Sequence, residues 1–270
     1  MPTSCLPSVS TALLLGLSAC TVYTPIQPHA PLIRARGEGE ISGHVEASLR
    51  PEIQAAYSPV SHFLLLASGT WRPGFPIGQE ENPYYFRTSQ YEVGAGTYWT
   101  LGPRWVATAT AGFGAAQVQR RLLEFGILLA FSNDYEAKYR KNYGQLGLAY
   151  QAEYAAVSFG YRLVQVKFTA LTSTDVGTSN TVYQLPLDEQ LRHEPYVLVR
   201  YSLGSPLAQS RWQFQLGSAL SFCIPGRTGN GGNPFDPAAF RAQFNQGNML
   251  LLNAGVVYCL KKRSVPEAAK

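Results

Sequence analysis

The feature that most constrains this chain is a two-residue alternation of apolar and polar side chains that recurs in about ten segments. Successive side chains of a β-strand point to opposite faces, so the alternation predicts strands with one apolar and one polar face. In the first segment, residues 38–47, the polar positions are Glu40, Ser42, His44 and Glu46. The chain is therefore predicted to be all-β.

The composition indicates that the apolar faces meet lipid. Hydrophobic residues make up 46% of the chain and charged residues only 14%, whereas soluble domains carry about 25% charged residues. Beyond residue 20, no apolar run approaches the ~20 residues of a spanning helix. The formal charge of +5 comes from scattered basic residues without a recognition motif, so no nucleic-acid partner is expected.

The lengths of the connections between these segments give the second argument. We expect strands within the ten segments 38–47, 52–57, 62–71, 91–99, 105–114, 143–153, 157–164, 197–203, 212–220 and 250–260. Apart from a short first hairpin at 49–51, short turns alternate with the long connections 72–88, 119–142, 169–191 and 224–247. This asymmetry is typical of outer-membrane barrels, whose long loops face outward. We predict an antiparallel up-and-down transmembrane β-barrel of about ten strands, with eight or twelve as alternatives, and a bulge at Val164.

The amino terminus carries a targeting signal. The apolar run 11–19 has the length of a signal-peptide core and is too short to span a bilayer. Its end, Leu17-Ser18-Ala19-Cys20, resembles the lipobox of bacterial lipoproteins, which implies cleavage before Cys20 and lipidation of its thiol. The alternative is a simple secretory signal cleaved near Ala19. Thr21 stands where an inner-membrane retention signal favours Asp, so the resemblance implies sorting to the outer membrane.

Four regions follow from these patterns. Residues 1–19 are the predicted signal peptide, and residues 20–36 are a lipidated N-terminus and an extended tether. Three prolines in the tether, Pro25, Pro28 and Pro31, disfavour helix and central strand. Residues 37–260 form the predicted barrel, and residues 261–270 a polar tail.

The arrangement as a whole resembles a known group of proteins. It combines the lipobox, the proline-containing tether, the hairpin sequence Gln54-Ala-Ala-Tyr-Ser-Pro-Val-Ser-His62 and the strand sequence Tyr91-Glu-Val-Gly-Ala-Gly-Thr-Tyr98. In these features the chain is similar to the small outer-membrane β-barrel lipoproteins of Bacteroidetes-type bacteria. The resemblance implies a barrel without an assigned activity.

The polar faces predict what fills the barrel. A barrel of about eight strands is filled by its own side chains, and open channels appear at ~16 strands. We therefore expect a lumen network of paired carboxylates, guanidinium groups and hydroxyls, formed by Glu40, Ser42, His44, Glu46, Glu92, Glu153, Arg162 and Arg200. The alternatives are a pore lining and a catalytic site in which Ser42 is the nucleophile and His44 the base.

The sequence shows no metal-ligand spacing and no cofactor motif, so neither is expected. The apolar stretch 122–131 predicts an extended hairpin, an element folded into the lumen or a contact with a partner. We expect a lipid-anchored outer-membrane protein, not an enzyme, with a structural or surface-interaction role. Its predicted partners are membrane lipid and an envelope or extracellular partner at the long loops. The alternatives are a narrow porin-like conduit and a lipid-modifying enzyme that uses Ser42 and His44.

Overall fold

The computed structural model describes residues 22–74, 85–125, 130–176, 181–185, 187, 189–223 and 248–260. The predicted signal peptide, Cys20 and the polar tail lie outside the described residues. Within these ranges, no helix is both long and apolar enough to cross a membrane.

The described chain is built from antiparallel strands. They are β1 Gly39–Glu46, β2 Pro51–Tyr57, β3 Leu64–Arg72, β4 Phe86–Leu101, β5 Trp105–Phe125, β6 Ala130–Gln151, β7 Ala155–Val176, β8 Val182–Gln184, β9 Glu189–Tyr201, β10 Trp212–Cys223 and β11 Met249–Cys259.

Ten of these strands close into a barrel, which confirms the predicted fold class. Sequential neighbours pair from β1 to β7, β7 pairs with β9, and β11 returns to pair with β1. The three-residue β8 pairs only with the upper part of β7, beyond the end of β9. The turns at 58–63, 102–104, 152–154 and 202–211 lie at one end of the barrel, which we call the short-turn end. The opposite end is the long-loop end.

The outer surface is apolar around the whole circumference. Each of the ten barrel strands contributes an exposed apolar side chain to this band, for example Ile41, Ile53, Leu65, Val93, Phe113, Leu146, Phe159, Val197, Leu216 and Leu252. Aromatic pairs border the band near the short-turn end, where Trp105 lies against Tyr150 and Trp212 against Tyr258. An apolar band edged by aromatic residues is the surface that a membrane barrel presents to lipid.

Strands β5, β6 and β7 continue beyond the membrane. They contain 21, 22 and 22 residues, whereas a tilted strand needs about 9–11 residues to cross a bilayer. Above Phe113, Leu146 and Leu163 their outward side chains become polar and exposed, and include Gln117, Lys138, Arg140 and Lys167. The long-loop end therefore has a high wall on this side of the barrel.

The high wall corrects the predicted bulge at Val164. Strand β7 keeps its alternation through Val164 and Val166, which are buried inside, while Gln165 and Lys167 are exposed. The register shift occurs farther along, opposite Lys138 and Tyr139. Above the membrane the outer face of β7 meets water, so its polar residues point outward and its apolar residues point inward. In the sequence this exchange of faces looks the same as the one-residue shift that a bulge produces.

Two long connections were also predicted too broadly. Much of 119–142 belongs to β5 and β6, which pair as far as Phe125 and Ala130, so the structure shows the extended hairpin that was one of the three alternatives for the stretch 122–131. Part of 169–191 belongs to β7, β8 and β9. In both places strand pairing continues beyond the segments in which alternating apolar residues predicted membrane-spanning strands.

The observed facing of β9 predicts a cost for charge on the lipid side. Val197 points outward near the middle of the apolar part of β9, between Leu191 and Tyr201, and its neighbour Leu198 is buried inside. We expect Val197→Arg to lower the free energy of unfolding by about 2–4 kcal/mol, because a charge near the bilayer midplane is poorly solvated. Reversible urea unfolding in lipid vesicles measures this change, with Val197→Leu as the matched control. Equal stability of the two variants would contradict this orientation of β9.

Candidate functional site: the barrel lumen

The lumen is occupied by the chain's own N-terminal segment. Every residue from 22 to 33 is buried, and Tyr23, Ile26 and Leu32 are completely inaccessible. The predicted tether is extended, as its prolines indicate, but it is not a free connection outside the barrel. We call residues 22–33 the lumen segment.

The lumen segment runs along the barrel from one end to the other. Arg34, which follows it, lies at the short-turn end, where its guanidinium group donates to the carbonyl oxygens of Pro103 at 2.6 Å and Trp105 at 3.2 Å. The carbonyl oxygen of Pro25 accepts a 2.5 Å hydrogen bond from Arg50, in the turn between β1 and β2 at the long-loop end. Since the chain runs in this direction, Tyr23 and Val22 lie beyond Pro25, toward the opening of the barrel at the long-loop end.

An extended chain without a neighbouring strand has backbone groups that need partners, because a buried polar group without a hydrogen bond is costly. Pro25, Pro28 and Pro31 have no N–H to satisfy. Side chains of the barrel wall accept from three of the remaining N–H groups. The N–H of Thr24 donates to Tyr139 at 3.1 Å, that of Gln27 to Glu52 at 3.2 Å and that of Leu32 to Glu40 at 3.4 Å.

The carbonyl oxygens of the lumen segment are bound in the same way. Gln54 donates to the carbonyl of Gln27 at 2.6 Å, Gln145 to that of His29, and Arg200 to that of Ala30 at 3.0 Å. These donors belong to β2, β6 and β9, which lie on different sides of the barrel. Recognition from several sides fixes the position of the segment along the lumen.

Arg200 and Glu40 form the ion pair nearest the short-turn end. The guanidinium group contacts both carboxylate oxygens, at 2.7 and 2.8 Å, and also donates to Gln215 at 2.6 Å. Both side chains are almost fully buried. A buried guanidinium group is stable only when it is paired and hydrogen-bonded, which this two-point contact provides.

A second network lies higher in the lumen, around Glu92. Its Oε1 contacts Lys141 at 2.5 Å and Arg162 at 2.6 Å, and Arg162 also reaches Glu194 at 3.5 Å. Glu194 in turn accepts a 2.9 Å hydrogen bond from the hydroxyl of Tyr23. The upper end of the lumen segment is therefore tied to a chain of charges that joins β4, β6, β7 and β9.

The buried charges of the described residues are nearly balanced. Six glutamates (Glu38, Glu40, Glu46, Glu52, Glu92 and Glu194) accompany five basic side chains (Arg50, Lys141, Arg162, Arg192 and Arg200). Close pairing in a poorly solvated interior explains this balance, since an unpaired charge there is strongly destabilising.

Most residues of the predicted network lie in the lumen. Glu40, Ser42, His44, Glu46, Glu92, Arg162 and Arg200 are buried there. Glu153 is an exception, because it is exposed in the turn between β6 and β7. The alternation assigned Glu153 to the lumen on the assumption that the strand continues to this residue. Strand β6 ends at Gln151, so the assignment does not apply to Glu153.

The sequence analysis missed Glu52, Lys141, Arg192 and Glu194. Arg192 and Glu194 share the parity of Arg200 on β9, and Lys141 shares the parity of Gln145 on β6. For these three residues the signal was present but lay outside the segments that an apolar outer face marked as strands. Glu52 lies within the predicted segment 52–57, whose short apolar run left its two faces ambiguous.

Ser42 and His44 are hydrogen-bonded to each other, with 2.8 Å between the serine Oγ and the histidine Nε2. This is the distance of a nucleophile and its base. Among the described residues, however, the histidine Nδ1 has no hydrogen-bond partner, so no carboxylate orients the ring. Both side chains are buried in the filled lumen.

An open cavity of about 590 Å³ lies at the long-loop end, beside the high wall. Its lining includes Trp71, Tyr85, Arg87, Asp134 and Glu136. Arg121 binds both oxygens of Asp134, at 2.6 and 2.7 Å, and burial, followed by the nearby Asp134 carboxylate, raises the pKa of Tyr85. Among the described residues, no cluster of His, Cys, Asp and Glu could hold a metal ion.

Comparisons with known proteins concern the fold alone. No protein-family model matches the chain, and no curated protein matches it. Among solved structures it is similar to the translocator domain of the autotransporter NalP from Neisseria meningitidis, with 11% identity, a TM-score of 0.40, and coverage of 82% of this chain and 86% of that one.

Two further structures are similar at 10% identity. The monoaromatic hydrocarbon channel CymD has a TM-score of 0.35, with coverage of 86% of this chain and 90% of that one. The toluene transporter TbuX of Ralstonia pickettii has a TM-score of 0.29, with coverage of 85% and 90%. The chain is a closed antiparallel β-barrel of ten strands.

The Glu40–Arg200 pair provides a test of the lumen network. We expect Glu40→Gln and Arg200→Gln each to lower the free energy of unfolding by about 3–5 kcal/mol, because each leaves a buried charge without its partner. The double variant should lose clearly less than the sum of the two, since neither charge remains. Urea unfolding of all four proteins in the same vesicles measures the coupling. Additive losses would show that the two groups do not interact.

Proposed function

We propose that the protein is a lipid-anchored outer-membrane β-barrel that is sealed by its own N-terminal segment and has a structural or surface-interaction role. The observation that carries the proposal is the unbroken burial of residues 22–33 inside the lumen. A wall that binds both N–H and carbonyl groups of this segment is suited to holding a peptide rather than to passing a solute.

The same filling of the lumen argues for a non-catalytic role. Ser42 and His44 are 6% and 3% exposed, and a substrate that reached them would have to displace the lumen segment. Their hydrogen bond satisfies two polar groups of the wall, as a structural pair does.

The surface role is supported by the shape of the long-loop end. Strands β5, β6 and β7 project above the apolar band, and the 590 Å³ cavity opens beside them. Because the surroundings of this cavity carry both acidic and basic side chains, we propose that an envelope or extracellular partner binds here through polar contacts.

The lipid anchor is supported by the sequence. The lipobox-like residues Leu17-Ser18-Ala19-Cys20 end one residue before the lumen segment. Together with the resemblance described above, they favour membership of the Bacteroidetes-type barrel lipoproteins.

Conductance tests the seal. We expect the mature protein in planar bilayers to show no steady ionic conductance, and a variant without residues 22–31 to conduct, because water then replaces the segment between polar walls. A variant without residues 261–270 removes the same length of chain outside the described barrel and should remain silent. Steady conductance of the complete mature protein would favour the porin-like conduit instead.

Metabolic labelling tests the anchor. We expect cells that express the protein to incorporate radiolabelled palmitate into it, and a Cys20→Ala variant to lose the label, because the thiol of Cys20 is the proposed acceptor. The Cys223→Ala variant is the matched control and should label normally. Labelling that survives the loss of Cys20 would refute the anchor.

A further inference from the structure

The position of the lumen segment determines the side of the membrane on which the mature chain begins. Arg34 is held at the short-turn end, and Pro25 lies at the level of the β1–β2 turn at the long-loop end. Tyr23 and Val22 continue in the same direction and pack into a cluster that includes Tyr139, Phe168 and Leu171 of the high wall. The chain thus crosses the barrel before β1 begins.

Only a short length of chain separates this cluster from the proposed lipid. Cys20 precedes Val22 by two residues, and a fully extended chain spans at most about 3.6 Å per residue. The segment between Val22 and Cys20 is therefore too short to return through a barrel that spans a bilayer about 30 Å thick.

The rim of the barrel is low on the side of β1 and β2. The turn that joins them is short, and apolar side chains remain exposed almost to its tip: Val45 is 50%, Leu49 73% and Ile53 64% exposed. Because these apolar groups belong in lipid, the rim here lies close to the membrane surface. Arg50 in this turn binds the lumen segment directly.

We propose that the mature N-terminus leaves the barrel at the long-loop end, so that the lipid on Cys20 enters the outer leaflet. The position of the N-terminus follows from the lumen segment alone, whereas the lipid rests on the anchor proposed above. In this arrangement one polypeptide crosses the outer membrane with its barrel and again with its lumen segment.

Surface detection of a tag tests the proposal. A short epitope tag is inserted between Thr21 and Val22, and antibody binding is measured on intact and on permeabilised cells. We expect binding to intact cells, as for the same tag inserted in the connection 224–247. A tag between Gly102 and Pro103, in a short turn, should bind only after permeabilisation. Binding at Thr21 only after permeabilisation would overturn the proposal.

Two further measurements separate the possible failures. Heat-modifiable gel mobility shows whether each tagged barrel has folded. If the tag at Thr21 prevents folding, Thr21→Cys is labelled on intact cells with a membrane-impermeant maleimide. The wild-type protein gives the background, and Pro103→Cys is the control for a residue at the short-turn end, on the inner side of the membrane. Labelling of Thr21→Cys supports the exit and its absence refutes it.

Palmitate labelling of the same tagged protein distinguishes this inference from the proposed anchor. A surface-exposed tag on a protein without palmitate would support the exit of the N-terminus at the long-loop end and refute the proposed lipid anchor. A palmitate-labelled protein whose tag is reached only after permeabilisation would support the lipid anchor and refute the exit at the long-loop end.

Discussion

The structure depends on the high cost of leaving a polar group in the barrel interior without a partner. A peptide inside a barrel has no adjacent strand with which to form a ladder, so the wall must provide the partners from its side chains. The three prolines of the lumen segment reduce the number of donors. Glu40, Glu52 and Arg200 then serve both as members of the wall network and as ligands of the segment. The polar lining and the N-terminal sequence are thus complementary.

Local pattern was sufficient to predict the fold and the faces of the strands. Alternation is a property of neighbouring residues, so it placed Glu40 and Arg200 inside and Val199 outside without knowledge of their partners. It failed where the environment changes along a strand. Val164 and Val166 are apolar and face inward because their part of β7 has left the membrane. The sequence shows which side chains are apolar. Whether they face outward or inward depends on whether that part of the strand lies within the bilayer or above it.

The contents of the lumen were beyond this kind of inference. The prolines predict that residues 22–33 are extended, but an extended segment is equally compatible with a tether outside the barrel. Its contacts join distant parts of the chain: Tyr23 and Glu194 are 171 positions apart, and Ala30 and Arg200 are 170 apart. No periodic pattern relates such pairs. The identity of each partner depends on barrel closure and on the level at which the segment lies.

Two kinds of interaction hold the lumen segment, and they have different consequences. Its buried apolar side chains, among them Ile26, Leu32 and Ile33, each contribute about 1.5–3 kcal/mol through removal from water. The hydrogen bonds contribute about 0.5–1.5 kcal/mol each and fix the register. Two of the buried ion pairs, Arg200 with Glu40 and Arg162 with Glu92, join wall residues to each other. Because neither pair includes a residue of the lumen segment, the proposed seal can be removed while these four side chains keep their charged partners.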